Sequence, residues 1–152
     1  SRGTVDYYSK NLTRTLMDEN GKPKQLLFTT SLTHYVDQDR SELDRPVLTL
    51  YGSEGPPWII HSDNAVMPGD GDTIFLNGNV RIVRERDQNG RTVKIVTKNA
   101  RVQPDNSYAE TDEFVQVLSS PDELTGTGAR VHFGDDLKVT ILSNVRRKHE
   151  FP

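Results

Sequence analysis

Residues 74–83, which read IFLNGNVRIV, decide the fold class of this chain. Apolar side chains alternate with other side chains along the stretch, which is typical of a β-strand with one buried face. Gly78 falls in the apolar row, where a side chain is expected. A glycine inside a strand marks a bend, a bulge or the close approach of another backbone. We therefore predict a strand that is interrupted at Gly78. The apolar row consists of Ile74, Leu76, Val80 and Ile82.

The same layout of strand, turn and strand recurs along the chain, and an alanine marks the first strand in three of its copies. Four hairpin units of nearly constant length predict a repetitive β architecture with little helix. The intervals between matching positions are 15 from Leu32 to Val47, 15 from Ala65 to Val80, 15 from Ala100 to Val115 and 16 from Ala129 to Val145.

The composition favours an open β structure. A chain of 152 residues is long enough for one domain with a core. A hydrophobic content of 33% and a mean hydropathy of -0.67 are low for a compact core. The net charge of -3 is too mild to indicate a nucleic-acid partner.

The sequence carries no pattern typical of catalysis or metal binding. The absence of cysteine excludes disulfides, thiol catalysis and cysteine zinc sites. The four histidines have no metal-ligand spacing, and no serine lies in a nucleophile elbow. We therefore predict a protein that is not an enzyme and has no cofactor. No run of about 18 apolar residues marks a membrane helix.

Counting along the strands predicts which side chains face inward. If Val80 points inward, Leu76 and Ile82 do so as well. The repeat assigns the same direction to Val47 and Val145. Such a row forms either a filled core or an apolar trough that accepts acyl chains. The predicted interior set is Leu43, Val47, Ile60, Leu76, Val80, Ile82, Ile95, Val115, Val117, Val139 and Ile141.

The motifs resemble those of a known family. Asp63-Asn64-Ala65, followed by a turn and Leu76-Asn77-Gly78-Asn79-Val80, resembles the OstA-like repeat of lipopolysaccharide-transport proteins. The N-terminal part is similar to the LptC type. Its motifs, in order, are Asp6-Tyr7-Tyr8, Asp18-Glu19-Asn20-Gly21, Leu32-Thr33-His34-Tyr35 and Arg45-Pro46-Val47-Leu48.

The resemblance implies an all-β fold. We expect a single twisted antiparallel β-jellyroll, a boat-like stack of hairpin repeats that is open along one side. Residues 5–150 would form this periplasmic domain, and residues 1–4 would be disordered or a cloning remnant. In this family an N-terminal helix, missing from the present sequence, attaches the domain to the inner membrane.

The resemblance also implies a transport function. The domain would hold the acyl chains of lipopolysaccharide in its interior, with lining positions near Leu43 and Val139. It would receive lipopolysaccharide from the inner-membrane LptB/LptF/LptG complex at its N-terminal edge and pass it to LptA at its C-terminal edge. Two alternatives remain: a soluble bridge of the LptA type, or a structural module with a filled core. The predicted C-terminal edge contains Leu137, Val139, Ile141 and Val145.

Overall fold

The computed structural model describes residues 3–52, 55–85, 90–134 and 136–149. Within these ranges the chain forms one ten-stranded antiparallel sheet and a single 3₁₀ turn, Pro104–Asn106. This confirms the predicted all-β architecture. The strands are β1 (Val5–Met17), β2 (Pro23–Tyr35), β3 (Arg40–Asp44), β4 (Val47–Leu50), β5 (Trp58–Pro68), β6 (Ile74–Arg84), β7 (Val93–Gln103), β8 (Tyr108–Ser119), β9 (Asp122–His132) and β10 (Lys138–His149).

The sheet is a meander in which neighbours in sequence are neighbours in space. β3 and β4 lie end to end between β2 and β5, and the other strands follow in chain order. The last three predicted repeat units are the hairpins β5–β6, β7–β8 and β9–β10. In the described part of the chain β1 and β10 pair only with β2 and β9, so the sheet stays open between them.

Most strands are interrupted near their middle. Register shifts recur between neighbouring strands, and left-handed backbone conformations fall at the same level. Irregularities of this kind bend a strand and increase its twist. They form a line across the sheet, which we call the crease. Its left-handed residues are Asn11, Arg45, Gly78, Asn99, Gly128 and Asn144.

Buried hydroxyl groups donate hydrogen bonds to backbone carbonyls at the crease. The Thr29 Oγ1 hydroxyl donates to the Asp44 carbonyl at 2.7 Å, and Thr97 Oγ1 donates to the Phe114 carbonyl at 2.8 Å. Thr111 Oγ1 donates to the Lys98 carbonyl at 2.8 Å. A buried carbonyl without a partner is costly, so these hydroxyls stabilise the bend.

Gly78 lies on the crease, as the strand pattern predicts. Its φ is 82°, and its N–H donates to Asn99 Oδ1 at 3.0 Å. The next N–H, of Asn79, donates to Asp63 Oδ2 at 2.8 Å. A Cβ at position 78 would collide with the Asp63 carboxylate. The glycine therefore serves both a left-handed bend and a close approach.

The crease divides the sheet into two half-sheets whose apolar faces pack on each other. A row of register partners crosses each of them, and members of both rows belong to one core cluster. The Ile60 half-sheet carries Leu27, Leu48, Ile60, Ile82, Ile95, Val117 and Leu124. The Leu76 half-sheet carries Leu32, Leu43, Ala65, Leu76, Ala100, Thr111, Ala129 and Ile141.

Two inward predictions are wrong. Val47 is only half-buried, and Leu48 and Leu50 take the inward positions of β4. Arg45 has a φ of 46° between β3 and β4, so counting by twos from Leu43 loses its phase there. Val145 is 55% exposed because the register shifts after Ser143 and β10 is an edge strand.

Replacing Gly78 with alanine tests the crease. We expect Gly78→Ala to lower the free energy of unfolding by about 3 kcal/mol, because backbone strain and a collision act together. The control is Gly71→Ala, since Gly71 has a φ of 72° but no heavy atom within 4 Å of an added Cβ. Strain alone should then cost about 1 kcal/mol. Urea denaturation measures both, and equal losses would contradict the account of Gly78.

Candidate functional site

The interior between the half-sheets is lined by aliphatic side chains. Most of the predicted interior positions lie there, and the two from β10 are half-buried against the same cluster. Lipid contact at these positions remains a prediction. The buried members are Leu43, Ile60, Leu76, Val80, Ile82, Ile95, Val115 and Val117, and the half-buried members are Val139 and Ile141.

Large and small side chains alternate along the Leu76 half-sheet. Ala65 lies between Leu43 and Leu76, and Ala100 lies between Leu76 and Thr111. Small residues let the opposite face approach closely, which favours interdigitation. The recurring alanine of the sequence repeat therefore marks where the two half-sheets come together.

The interior around Ile82 and Ile95 is closely packed. A cavity of about 10 Å³ lies among residues that include Ile82, Ile95, Val115 and Ala109. A water molecule needs at least about 10–15 Å³ of such space, so this cavity has no room for an acyl chain. A lipid can enter this part of the interior only if the half-sheets separate.

Two contacts join the half-sheets on the side opposite the crease. We call this side, where the ends of the strands from the two half-sheets meet, the mouth. Trp58, the first residue of β5, packs against Phe133 with ring centroids 5.4 Å apart and ring planes inclined by 51°. Trp58 Nε1 also donates to the Gly134 carbonyl at 3.2 Å. We call this contact the aromatic clasp.

The second contact is polar. Gln25 Nε2 donates to Asp105 Oδ1 at 3.0 Å, and Lys24 Nζ lies 3.9 Å from the same oxygen. Gln25 belongs to β2 and Asp105 to the turn before β8. This polar clasp and the aromatic clasp were not predicted from the sequence, because each joins residues that are far apart along the chain.

The C-terminal edge strand offers free backbone and exposed apolar side chains. In the described residues β10 pairs with β9 alone, which leaves one side of the strand without a ladder. Such an edge is a template for a further strand. Leu142 is 52% exposed, and the basic run Arg146–Lys148 follows it. In the described residues Val139, Ile141 and Val145 therefore lie on an edge strand, with Leu137 just before it, and partner binding at this edge remains a prediction.

The N-terminal edge strand β1 is held by a histidine between two carboxylates. His34 Nδ1 lies 2.6 Å from Asp6 Oδ1, and His34 Nε2 lies 3.4 Å from Asp39 Oδ1. The Tyr7 ring stacks on His34 at 5.2 Å. The hydrogen bond with Asp6 is the largest cause that raises the pKa of His34. Two of the N-terminal motifs quoted above thus meet at this contact.

The His34 contact predicts a pH dependence. Because the pKa of His34 is raised in the folded state, its stabilisation is complete below the ordinary value of 6.5 and is lost as the pH rises through the raised pKa. We expect the melting temperature of His34→Gln to fall below wild type at pH 6 and to approach it at pH 9.

A second histidine provides the control. Burial lowers the pKa of His61, so its contribution should change with pH in the opposite direction. Thermal denaturation of His34→Gln and His61→Gln at several pH values measures both trends. A His34→Gln deficit that stays constant with pH would contradict the proposed charge on the imidazole.

The described residues contain neither a metal-binding cluster nor a membrane-spanning helix. Among the described residues no group of three histidine, cysteine, aspartate or glutamate side chains could hold a metal ion. Likewise, no helix in the described ranges has the length and apolar character needed to span a bilayer. The candidate functional features of the described residues are the apolar interior, the crease, the mouth and the two edge strands.

Comparison with known proteins identifies the family. The structure is similar to the crystal structure of LptH from Pseudomonas aeruginosa, described as the LptA-homologous periplasmic component of the conserved lipopolysaccharide transport device. The TM-score is 0.62 at 7% identity, over 92% of this chain and 96% of that one, which confirms the β-jellyroll fold. No curated protein sequence gives a significant match. The family described as "Lipopolysaccharide-assembly, LptC-related" matches residues 1–150. The chain therefore belongs to this LptC-related family and has a role in lipopolysaccharide transport.

Proposed function

We propose that this domain holds the acyl chains of lipopolysaccharide between its two half-sheets and passes the lipid to LptA. The observation that carries the proposal is the continuous aliphatic lining of a sheet folded on itself, in a chain of the LptC-related family. The lipid would come from the inner-membrane LptB/LptF/LptG complex, to which a segment outside this sequence would attach the domain. No cofactor takes part in this step.

The lining suits acyl chains energetically. Each CH₂ group that leaves water contributes about 0.8 kcal/mol. The interior threonines do not disturb this surface, because the hydroxyls of Thr29, Thr97 and Thr111 are used by carbonyls at the crease. An acyl chain would therefore meet methyl and methylene groups, while the sugars stay in solvent at the mouth.

Loading requires the half-sheets to move apart, and the crease is the natural hinge. When the half-sheets open, the contacts between the Ile60 half-sheet and the Leu76 half-sheet are replaced by contacts of each apolar face with the acyl chains. Both states bury the apolar faces, so the net cost is smaller than that of exposing the core to water. A small net cost makes binding reversible, which handing the lipid on demands.

The free edges suit the partners. The β10 edge, with Val139, Ile141 and Val145 and the preceding Leu137, would pair with a strand of LptA, and the β1 edge would face the inner-membrane complex. Pairing of edge strands extends a sheet from one protein into the next through backbone hydrogen bonds. A continuous sheet would align the interiors of both proteins.

A structural module is the second candidate, because the interior is closely packed around a cavity of about 10 Å³. Such a module would fold and pair through its edges without lipid. A soluble LptA-type bridge shares the fold, as the similarity to LptH shows, but it would have no membrane attachment. Lipid contact in the interior would distinguish the proposed function from the structural module.

Photo-crosslinking tests the lipid-binding interior. A small diazirine amino acid at Leu43, Val80 or Val139 should form adducts with lipopolysaccharide, because these side chains line the space between the half-sheets. Arg81 is the matched control, since it neighbours Val80 on β6 but is exposed. We expect at least tenfold more adduct at the three interior positions. Equal yields, or no adduct in a protein with a native circular dichroism spectrum, would favour the structural module.

Proline substitution tests the C-terminal edge. Neighbouring residues of an antiparallel strand direct their N–H groups to opposite sides. One of Thr140→Pro and Ile141→Pro should therefore break pairing with β9, and the other should remove an outward N–H. We expect the variant with the near-native melting temperature to bind LptA at least tenfold more weakly. Wild-type affinity in that variant would contradict pairing through β10.

A further inference from the structure

The aromatic clasp connects fixed points on opposite half-sheets. Trp58 pairs with Leu50 and Arg84 in the Ile60 half-sheet. Phe133 is anchored on the other half-sheet, where its N–H donates to the Ser107 carbonyl at 2.8 Å. The contact between the two rings therefore joins one wall of the interior to the other. Separation of the walls at this level must break it.

The clasp is buried at a place where the mouth would otherwise open to solvent. Trp58 is 4% exposed and Phe133 is 6% exposed. The Arg84 guanidinium lies 5.4 Å from the Trp58 ring centre, and its Nε donates to the Pro56 carbonyl at 3.2 Å. Aromatic pairs stabilise a contact beyond the burial of their area, because the edge of one ring attracts the face of the other. The clasp is thus a specific closure of the mouth.

The polar clasp is weaker. It joins Lys24 and Gln25 to Asp105 through side chains, and Asp105 is exposed. Contacts of this kind at the surface contribute little, because solvent screens the charges and ordering the side chains costs entropy. Of these two contacts between described residues, the aromatic clasp therefore offers the greater resistance to opening.

An amphipathic ligand cannot pass a closed clasp. If acyl chains lie between the half-sheets and sugars lie in solvent, the molecule extends through the mouth. Moving along the interior then carries its sugars past every contact that spans the mouth. We propose that the Trp58–Phe133 contact is a gate that opens for each lipid that passes and closes behind it. This inference rests on the proposed function and adds the residues that control it.

A reversible crosslink across the clasp tests the gate. The chain has no cysteine, so Trp58→Cys with Phe133→Cys gives a unique pair. A short bis-maleimide with a cleavable disulfide would join them in the full-length protein, reconstituted with LptB/LptF/LptG and LptA in phospholipid vesicles. The readout is ATP-driven appearance of lipopolysaccharide adducts on LptA. The control is the same variant with each cysteine capped separately.

We expect the linked variant to transfer at least tenfold less lipopolysaccharide than the capped variant, and reduction of the linker to restore transfer. Transfer by the linked variant at the capped rate would overturn the gate and leave lipid binding intact. Wild-type protein that transfers nothing, together with a diazirine variant at Val80 that forms no adduct, would overturn the proposed function and the gate together.

A second measurement leaves the clasp unmodified. Trp58 is the single tryptophan of the chain, so fluorescence excited selectively in tryptophan reports on the clasp. Adding lipopolysaccharide should at least double the quenching of Trp58 by iodide, because the opened mouth admits solvent to the ring. Quenching that stays unchanged while adducts form at Val80 would overturn the gate.

Discussion

The structure depends on a line of bends that crosses every hairpin. A flat sheet with one apolar face would leave that face in water, but strands that bend at their middle bring the two halves of the same face together. The bend is built from left-handed residues such as Gly78 and Asn99, and from buried hydroxyls that donate to backbone carbonyls. The crease therefore creates the core.

A core of this kind differs from that of a closed barrel. Its two walls are joined along the crease and held across the mouth by only a few contacts, and the sheet remains open between β1 and β10 in the described residues. The apolar side chains of each wall pack against those of the other wall and are thereby shielded from water. Under the proposed function the same surfaces accept acyl chains when the walls part, so a packed interior is compatible with lipid transport.

The sequence predicted the fold and most of the lining because strict alternation and a constant repeat length are local signals. Val80 and Leu76 followed from the pattern around Gly78. Val47 did not, since one left-handed residue at Arg45 changes the phase of the next strand. Counting every second residue assumes an unbroken strand and therefore cannot anticipate that shift.

Contacts across the interior were not predictable from periodicity. Trp58 and Phe133 meet because two hairpins are folded over a common crease, and neither residue carries a local signal for the other. The inward threonines were also missed, because Thr111 looks polar until its hydroxyl is seen to donate to the Lys98 carbonyl. Tertiary geometry, not composition, decides both features.

The central claim is that the half-sheets part around the acyl chains, and an inter-label distance tests it most directly. Spin labels at Lys22→Cys and Asn106→Cys, exposed turn positions at opposite sides of the mouth, report the separation of the walls. A matched pair at Lys22→Cys and Glu85→Cys lies within the Ile60 half-sheet. The account predicts that lipopolysaccharide lengthens the distance between labels 22 and 106, measured by double electron–electron resonance. The distance between labels 22 and 85 should stay unchanged. An unchanged first distance in protein that forms lipid adducts at Val80 would contradict it.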